Sequence, residues 1–361
     1  MRWSLKLGRL AGIDVYVHAT FSLLILWVGV GAWLRSHSVP VTLREVSFIL
    51  LLFLCIVLHE LGHALMARRY GVRTRDITLL PFGGMARLER MPEKPSQEFW
   101  IAVAGPAVNV VIALALALGL GWQGELFNEA SYDLASGGFV HRLMLVNVML
   151  VAFNMLPAFP MDGGRVLRAF LASRMSYARA TRVAASVGQG MALLFGFLGF
   201  LSGFNPFLLL IAFVVWIGAA QESQSAELRA GLGGVRVCDA MLTEFRQLSP
   251  DQTLQDAVNL ILAGSQHDFP VTTDGRVLGM LTREDLMKSL AQKATSTPVS
   301  EVMRRDIAPV PGDALVLEML PTFQASPSQA VPVLVEGRLA GLLTSDNIAE
   351  VLMIRSALKP S

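Results

Sequence analysis

CIVLHELGHALMARRYGV, residues 55–72, decides how the chain is read. Its first half is apolar enough for a membrane span, yet His59, Glu60 and His63 lie among Leu58, Leu61 and Leu65. An ionisable group at mid-membrane costs about 2.5–3.5 kcal/mol on insertion scales, so three together demand a function. Four residues apart on a helix, His59 and His63 share a face one turn apart, where both can reach one ion at about 2.0–2.1 Å. Glu60 is turned about 100° further round and can approach a water on that ion. This is the H-E-x-x-H arrangement, in which two histidines hold zinc and the glutamate acts as general base. The alternative, three polar groups lining a proton or ion path, accounts less well for the register.

Catalytic zinc takes three protein ligands and keeps one position open. His18, His37, His141 and His267 are isolated, and of these only His18, near the start of the first apolar run, could approach the pair. NMLPAFPMDGG, residues 154–164, offers a better candidate. Pro157 and Pro160 interrupt helix regularity before Asp162, and Gly163 and Gly164 allow a tight turn after it. An aspartate there, at the same end of its apolar segment as the histidines, supplies one oxygen to their two nitrogens.

The composition agrees with a membrane setting. Of 361 residues, 53% are hydrophobic and 16% charged, against about 25% charged in soluble domains. A net charge of +2 without a basic block gives no nucleic-acid signal. Cys55 and Cys238 form no metal or disulfide spacing and read as small buried hydrophobes. Six stretches approach the length of a span: about 18–34, 46–68, 99–121, 139–160, 183–203 and 206–222. The N-terminal stretch is read as a retained first span. Arg2, Lys6 and Arg9 precede it; Arg68, Arg69, Arg73, Arg75, Arg87, Arg90 and Lys94 follow the second, and Arg165, Arg168, Arg174, Arg179 and Arg182 follow the fourth. The opposite loops are poor in positive charge, with Glu125, Glu129 and Asp133 in one of them. By the positive-inside rule both termini face the cytoplasm, across the inner (plasma) membrane.

Between spans two and three, alternation around Ile77, Leu79 and Leu80, broken by Pro81 and Gly83–Gly84, suggests a short β-hairpin at the membrane surface. Past Glu222 the composition becomes that of a soluble domain and a repeat appears. HDFPVTTDGRVLGMLTREDL (267–286) aligns without gaps to QAVPVLVEGRLAGLLTSDNI (329–348), an offset of 62 that also pairs Val237 with Val299 and Met241 with Met303. Each repeat reads as a short helix, an extended piece, a helix, two strands joined by a glycine turn, and a closing helix. The fold expected is thus a polytopic α-helical membrane protein of about six spans with a small β-hairpin, followed by an α/β tandem pair. The boundaries are 1–222 for the membrane domain, 223–234 for a linker made flexible by Gly231, Gly233 and Gly234, and 235–294 and 297–357 for the repeats.

The repeats resemble a tandem pair of CBS domains. That resemblance implies a regulatory module for an adenine nucleotide such as ATP or AMP, with Thr282 and Asp285 as the ribose-contacting pair of the first repeat. Thr344 is its counterpart in the second, where Asn347 replaces the acid. CBS pairs commonly associate face to face, which implies a homodimer. The remainder, HELGH in one span and NMLPAFPMDGG in a later one, resembles the site-2 protease family of intramembrane zinc metalloproteases. The match includes the N-x-x-P-x-x-x-x-D-G pattern at Asn154, Pro157, Asp162 and Gly163, and the G-P-x-x-N element at Gly105, Pro106 and Asn109. With the trailing repeats it is similar to the family's bacterial six-span branch. The resemblance implies zinc held by His59, His63 and Asp162, Glu60 as catalytic acid/base, and Asn154 with Asn109 near the substrate. The substrate implied is a transmembrane segment of a membrane-anchored protein, cleaved within the lipid bilayer. A CBS-regulated ion transporter or channel is the other class compatible with spans plus repeats, and an inactive relative retained as an adaptor is a third. Asn147, in the fourth span, reads as interhelical hydrogen bonding.

Overall fold

The computed structural model describes residues 3–81, 83–89, 92, 94–122, 138–292 and 295–358. Arg2, Arg90, Glu125, Glu129 and Asp133 of the charge argument lie outside them, as does Phe82 of the hairpin. The chain divides into two compact units, residues 1–226 and 227–361.

The first unit opens with β1 (Ser4–Leu10) and β2 (Ile13–His18), joined through Ala11 and Gly12, both at positive φ. The long helices α1 (Thr20–Ser36) and α2 (Val39–Arg69) follow. Next come β3 (Thr74–Leu80), β4 (Gly83–Leu88), α3 (Pro95–Trp122), α4 (Phe139–Asn154), α5 (Asp162–Ala172), α6 (Tyr177–Leu201) and α7 (Pro206–Leu232). Among the described residues, α2, α3, α6 and α7 are long and apolar enough to cross a membrane; α1 and α4 are shorter apolar helices of 17 and 16 residues.

The strands form one sheet in the order β1-β2-β3-β4, with β2 and β3 parallel and the outer pairs antiparallel. Across the β3–β4 hairpin Asp76 faces Arg87, which donates to both carboxylate oxygens at 2.8 and 2.5 Å. The sheet lies along α2: Ile13 and Ile77 pack on Ala64, and Leu79 packs with Phe53 and Val57. β1 and β2 were not anticipated from the sequence. The pairing of β2 with β3 spans the whole α1–α2 hairpin, a distance that local alternation does not encode.

α2 ends where Gly71 adopts φ +76°. The Val72 N–H donates to Ala67 O and the Gly71 N–H to Arg68 O, the two bonds of a Schellman cap. Val72 then packs with Ala67 and Ile101. α4 stops at Asn154, short of the span expected to reach 160, and residues 155–161 fold back against the start of α5. That path requires glycine: a Cβ on Gly163 would lie 2.2 Å from Leu156 O, and one on Gly164 2.7 Å from the Ala158 carbonyl carbon. Gly218 on α7 leaves the same kind of room for Pro160.

Further along α5, fully buried Arg168 donates from Nε to Glu98 Oε1 on α3 at 2.6 Å and pairs with Glu222 on α7. Its guanidinium also sits over the Tyr177 and Phe159 rings, at 4.9 and 5.0 Å from their centroids. α5 is thereby held to α3, α6 and α7 by one side chain.

Residues 223–232 complete α7, and Leu232 and Val235 are buried in the core of the second unit. The run ESQSAELRA (222–230) consists largely of capable helix formers, and only Gly234 turns to positive φ.

The second unit contains α8 (Val237–Ala240), α9 (Leu254–Ala263), β5 (Phe269–Thr273), β6 (Arg276–Leu281), α10 (Arg283–Ala291) and α11 (Val299–Val302). Then come β7 (Val310–Pro311), α12 (Val316–Ala325), β8 (Ala330–Val335), β9 (Arg338–Thr344) and α13 (Ser345–Leu358). Both hairpins turn through two residues at positive φ, Asp274–Gly275 and Glu336–Gly337, the geometry that right-twisted strands favour. The repeats read from sequence differ from the packing units: Val237 of α8 is buried with Val310, Val316 and Val331 of the second half, and Val299 of α11 with Leu248, Leu254 and Phe269 of the first. Leu242 pairs with Leu342 and Met280 with Arg304 in matching bridges. Gly279 and Gly341 make room for them, since a Cβ there would lie 2.3 Å from Arg304 O and 2.6 Å from Met241 Sδ.

Candidate metal centre

His59 and His63 project from the same face of α2, and Asp162 meets them from the first turn of α5. All three are buried. Their ligand atoms converge: His59 Nε2 and His63 Nε2 lie 3.2 and 3.1 Å from Asp162 Oδ2, and 3.1 Å from one another. Donors at about 2.0–2.1 Å from a tetrahedral ion lie at about this mutual separation.

The far side of each ring explains why these atoms face inward. His63 Nδ1 lies 2.6 Å from Ile101 O, which can only accept, so His63 donates there, and in the neutral ring Nε2 carries the lone pair. His59 Nδ1 lies 2.5 Å from Asn109 Oδ1. With both rings neutral and their protons on Nδ1, two ring lone pairs and a carboxylate oxygen converge on one point, a donor set that fits a divalent cation. The ring–carbonyl and ring–amide contacts are the outer partners that commonly orient metal-binding histidines.

Close helix packing allows this. A Cβ on Gly105 of α3 would fall 2.2 Å from His63 Nε2, and one on Gly62 of α2 2.7 Å from Ala104 O. Glu60, half-buried beside the centre, accepts the Ala86 N–H of β4 at 3.1 Å on Oε2. Gly84 of the same strand leaves space for it, as a Cβ there would lie 2.8 Å from Glu60 Cγ.

Asn109 and Asn147 are fully buried and bonded to each other, Asn109 Nδ2 donating to Asn147 Oδ1 at 2.8 Å. Asn154 donates to Leu150 O one turn back on its own helix, at 3.0 Å. His18, the other ligand candidate, bonds Thr20 Oγ1 at 2.8 Å at the end of β2. Among the described residues, His59, His63 and Asp162 are the one group of three or more His, Cys, Asp or Glu side chains so arranged. The contacts of Ile101 O and the Ala86 N–H have no counterpart in the sequence reading, since backbone groups carry no residue-type signal.

The family description Peptidase family M50 matches residues 47–136 and 126–195, the stretches that carry the converging side chains. A zinc metalloprotease of Methanocaldococcus jannaschii is 33% identical over 317 residues, covering 84% of this chain and 88% of that protein. The chain belongs to peptidase family M50. A Mycobacterium tuberculosis protein that also bears a zinc metalloprotease name is 30% identical, covering 95% of this M50 chain and 86% of its own length. The solved site-2 protease from Methanocaldococcus jannaschii is 36% identical with a TM-score of 0.45, over 61% of this chain and 95% of that one. The CBS domain description matches residues 237–292 and 299–354. This M50 member is thus a zinc metalloprotease with a CBS pair, and its apolar helices make it an integral membrane protein.

In the CBS unit, Thr282 and Asp285 are already engaged. The Thr282 hydroxyl donates to Asp285 Oδ2 at 2.6 Å and accepts the Asp285 N–H, capping α10. Arg304 donates to Asp285 Oδ2 from Nε at 2.5 Å and to Oδ1 from Nη2 at 3.2 Å. Burial raises the Asp285 pKa, but the Arg304 and Thr282 hydrogen bonds outweigh it and hold the carboxyl below its ordinary value. Thr344 bonds Asn347 Oδ1 at 2.5 Å. Thr344 and Asn347 line a cleft of about 1020 Å³ with Arg246, His267, Asp268 and Asp346.

Proposed function

We propose that this M50 peptidase cleaves transmembrane segments of membrane-anchored proteins within the bilayer, with both of its own termini in the cytoplasm. The observation that carries the reading is the convergence of His59, His63 and Asp162 on one buried point at the face of α2, a helix apolar enough to cross the membrane. These three side chains would hold the zinc. Bound there, zinc supplies Lewis-acid chemistry, polarising a scissile carbonyl and bringing the pKa of water to about 7. Glu60 Oε1 takes the proton of the attacking water and returns it to the leaving amine nitrogen, while Oε2 remains on the Ala86 N–H. A helical substrate has its interior carbonyls bonded and must first unwind. β4, an edge strand beside Glu60, is where an unwound segment could add as a further strand. Asn109, occupied by His59 and Asn147, orients a ligand, which leaves Asn154 to meet substrate.

The test is Glu60→Gln in full-length protein with a membrane-anchored substrate. Zinc content and fold are expected to be retained and cleavage lost; cleavage at the native rate refutes the role. Comparing membranes from cells carrying each form would identify the substrate. For the CBS pair, we assign an adenine nucleotide to the cleft at Thr344, where the side chains are not closed by an ion pair as Asp285 is by Arg304. Thermal-shift titration with ATP and AMP tests it, and no shift with either counts against it. Self-association through this unit is the accompanying expectation, read by light scattering in detergent.

A further inference from the structure

Asn109 faces His59 with an amide, and an amide is ambiguous. Presented through Oδ1, it accepts a proton from His59 Nδ1 and leaves Nε2 bare toward Asp162. Presented through Nδ2, it forces the His59 proton onto Nε2, the atom that must face the cation. His63 has no such ambiguity, because its outer partner is the backbone carbonyl of Ile101. Something must fix the direction of the Asn109 amide.

Asn147 supplies the direction. Its Nδ2 donates to Leu143 O on its own helix at 2.8 Å, and a carbonyl oxygen can only accept. The Nδ2 also faces Cys55 Sγ at 3.5 Å. Oδ1 of Asn147 is therefore turned to Asn109, whose Nδ2 donates to it at 2.8 Å. Asn109 Oδ1 is left for His59 Nδ1 at 2.5 Å. Reversing the chain would press Asn147 Oδ1 against Leu143 O, two acceptors in contact. Both asparagines are fully buried.

We propose that Asn147 is a positioning residue for the metal centre: it transmits the polarity of the Leu143 carbonyl through Asn109 to His59 and so keeps the His59 proton on Nδ1. The plain alternative is a helix-to-helix bond between α3 and α4 that stabilises packing and nothing more. The inference rests on the metal reading of His59, His63 and Asp162, and the experiment separates the two.

Full-length protein in detergent is titrated with zinc against a competing chelator, and the apo form is labelled with ¹⁵N-histidine to read the His59 tautomer. Asp162→Ala should abolish tight zinc binding; if it does not, the metal reading itself fails, whatever Asn147 does. With that control satisfied, Asn147→Leu, similar in size but without the acceptor, should weaken zinc by about 10- to 100-fold and move the His59 proton signal toward Nε2. Asn147→Asp, in its protonated form, offers the same acceptor to Asn109 and an O–H to Leu143 O, and should then restore both readouts. If Asn147→Leu does not fold, Asn147→Ala removes the amide without added bulk. Wild-type zinc affinity and an unchanged His59 tautomer in the folded Leu or Ala variant overturn the proposal. So does an Asn147→Asp variant, shown to be protonated by its carboxyl infrared band, that is as impaired as Asn147→Leu.

Discussion

Gly105→Ala is the sharpest perturbation the structure offers. The added methyl would stand 2.2 Å from His63 Nε2, 2.6 Å from Cε1 and 2.7 Å from Cδ2. Non-bonded carbon contacts settle at about 3.5–4.0 Å, so the ring or the α2–α3 packing must yield by more than about 1 Å. Metal–ligand distances tolerate about 0.2 Å, and moving the ring also breaks its 2.6 Å bond to Ile101 O. Overpacking of this kind costs about 1–3 kcal/mol in stability, which a membrane domain can survive, but zinc should not be retained. The assay is zinc content after dialysis against a weak chelator, with helicity measured in parallel. Gly119→Ala on the same helix is the control, since nothing lies within 4 Å of its Cβ position; it should keep zinc and lose no stability. Stoichiometric, wild-type-affinity zinc in Gly105→Ala would show that the ring does not occupy this place.

Three further outcomes are expected. Arg168→Met strands Glu98 in the interior and should destabilise the membrane domain by about 3–5 kcal/mol, seen as a lowered unfolding midpoint; a variant as stable as the parent would mean the cluster is solvated. Zinc at a hundredfold its Kd should add about 2.7 kcal/mol of stability to the parent and none to Asp162→Ala, and an equal rise in both would place the binding elsewhere. Because Asp285 is held below its unfolded value of about 3.9, its contribution is full above that pH and fades as pH falls through the lower folded value. Amide protection in α10 should therefore drop on acidification below about pH 4, and less steeply in Asp285→Asn; identical profiles would remove Asp285 as the cause.

What the sequence disclosed follows from spacing. His59 and His63 at four residues, with only Glu60 charged in an otherwise apolar run, pointed to a helix and to a candidate ligand pair. Asp162 stood out because two prolines and two glycines bracket it, and the offset of 62 exposed the repeats. What stayed hidden depends on distance along the chain or on groups without identity. The pairing of β2 with β3 joins segments separated by two helices. Arg168 was counted as a loop charge, although it is buried between Glu98 and Glu222, because partners 70 and 54 residues away leave no local mark. Asn147 read as ordinary interhelical glue since its part in the chain to His59 depends on which amide atom faces which neighbour.

The exchange of α8 and α11 between the two halves of the CBS pair makes the repeats inseparable. A chain cut between Ala291 and Val299 would take from each hydrophobic cluster the short helix that closes it, leaving Val310, Val316 and Val331 uncovered on one fragment and Leu248, Leu254 and Phe269 on the other. Truncation, duplication or transplantation of a single repeat is thus a lesion to both, and heating should melt the pair in one step.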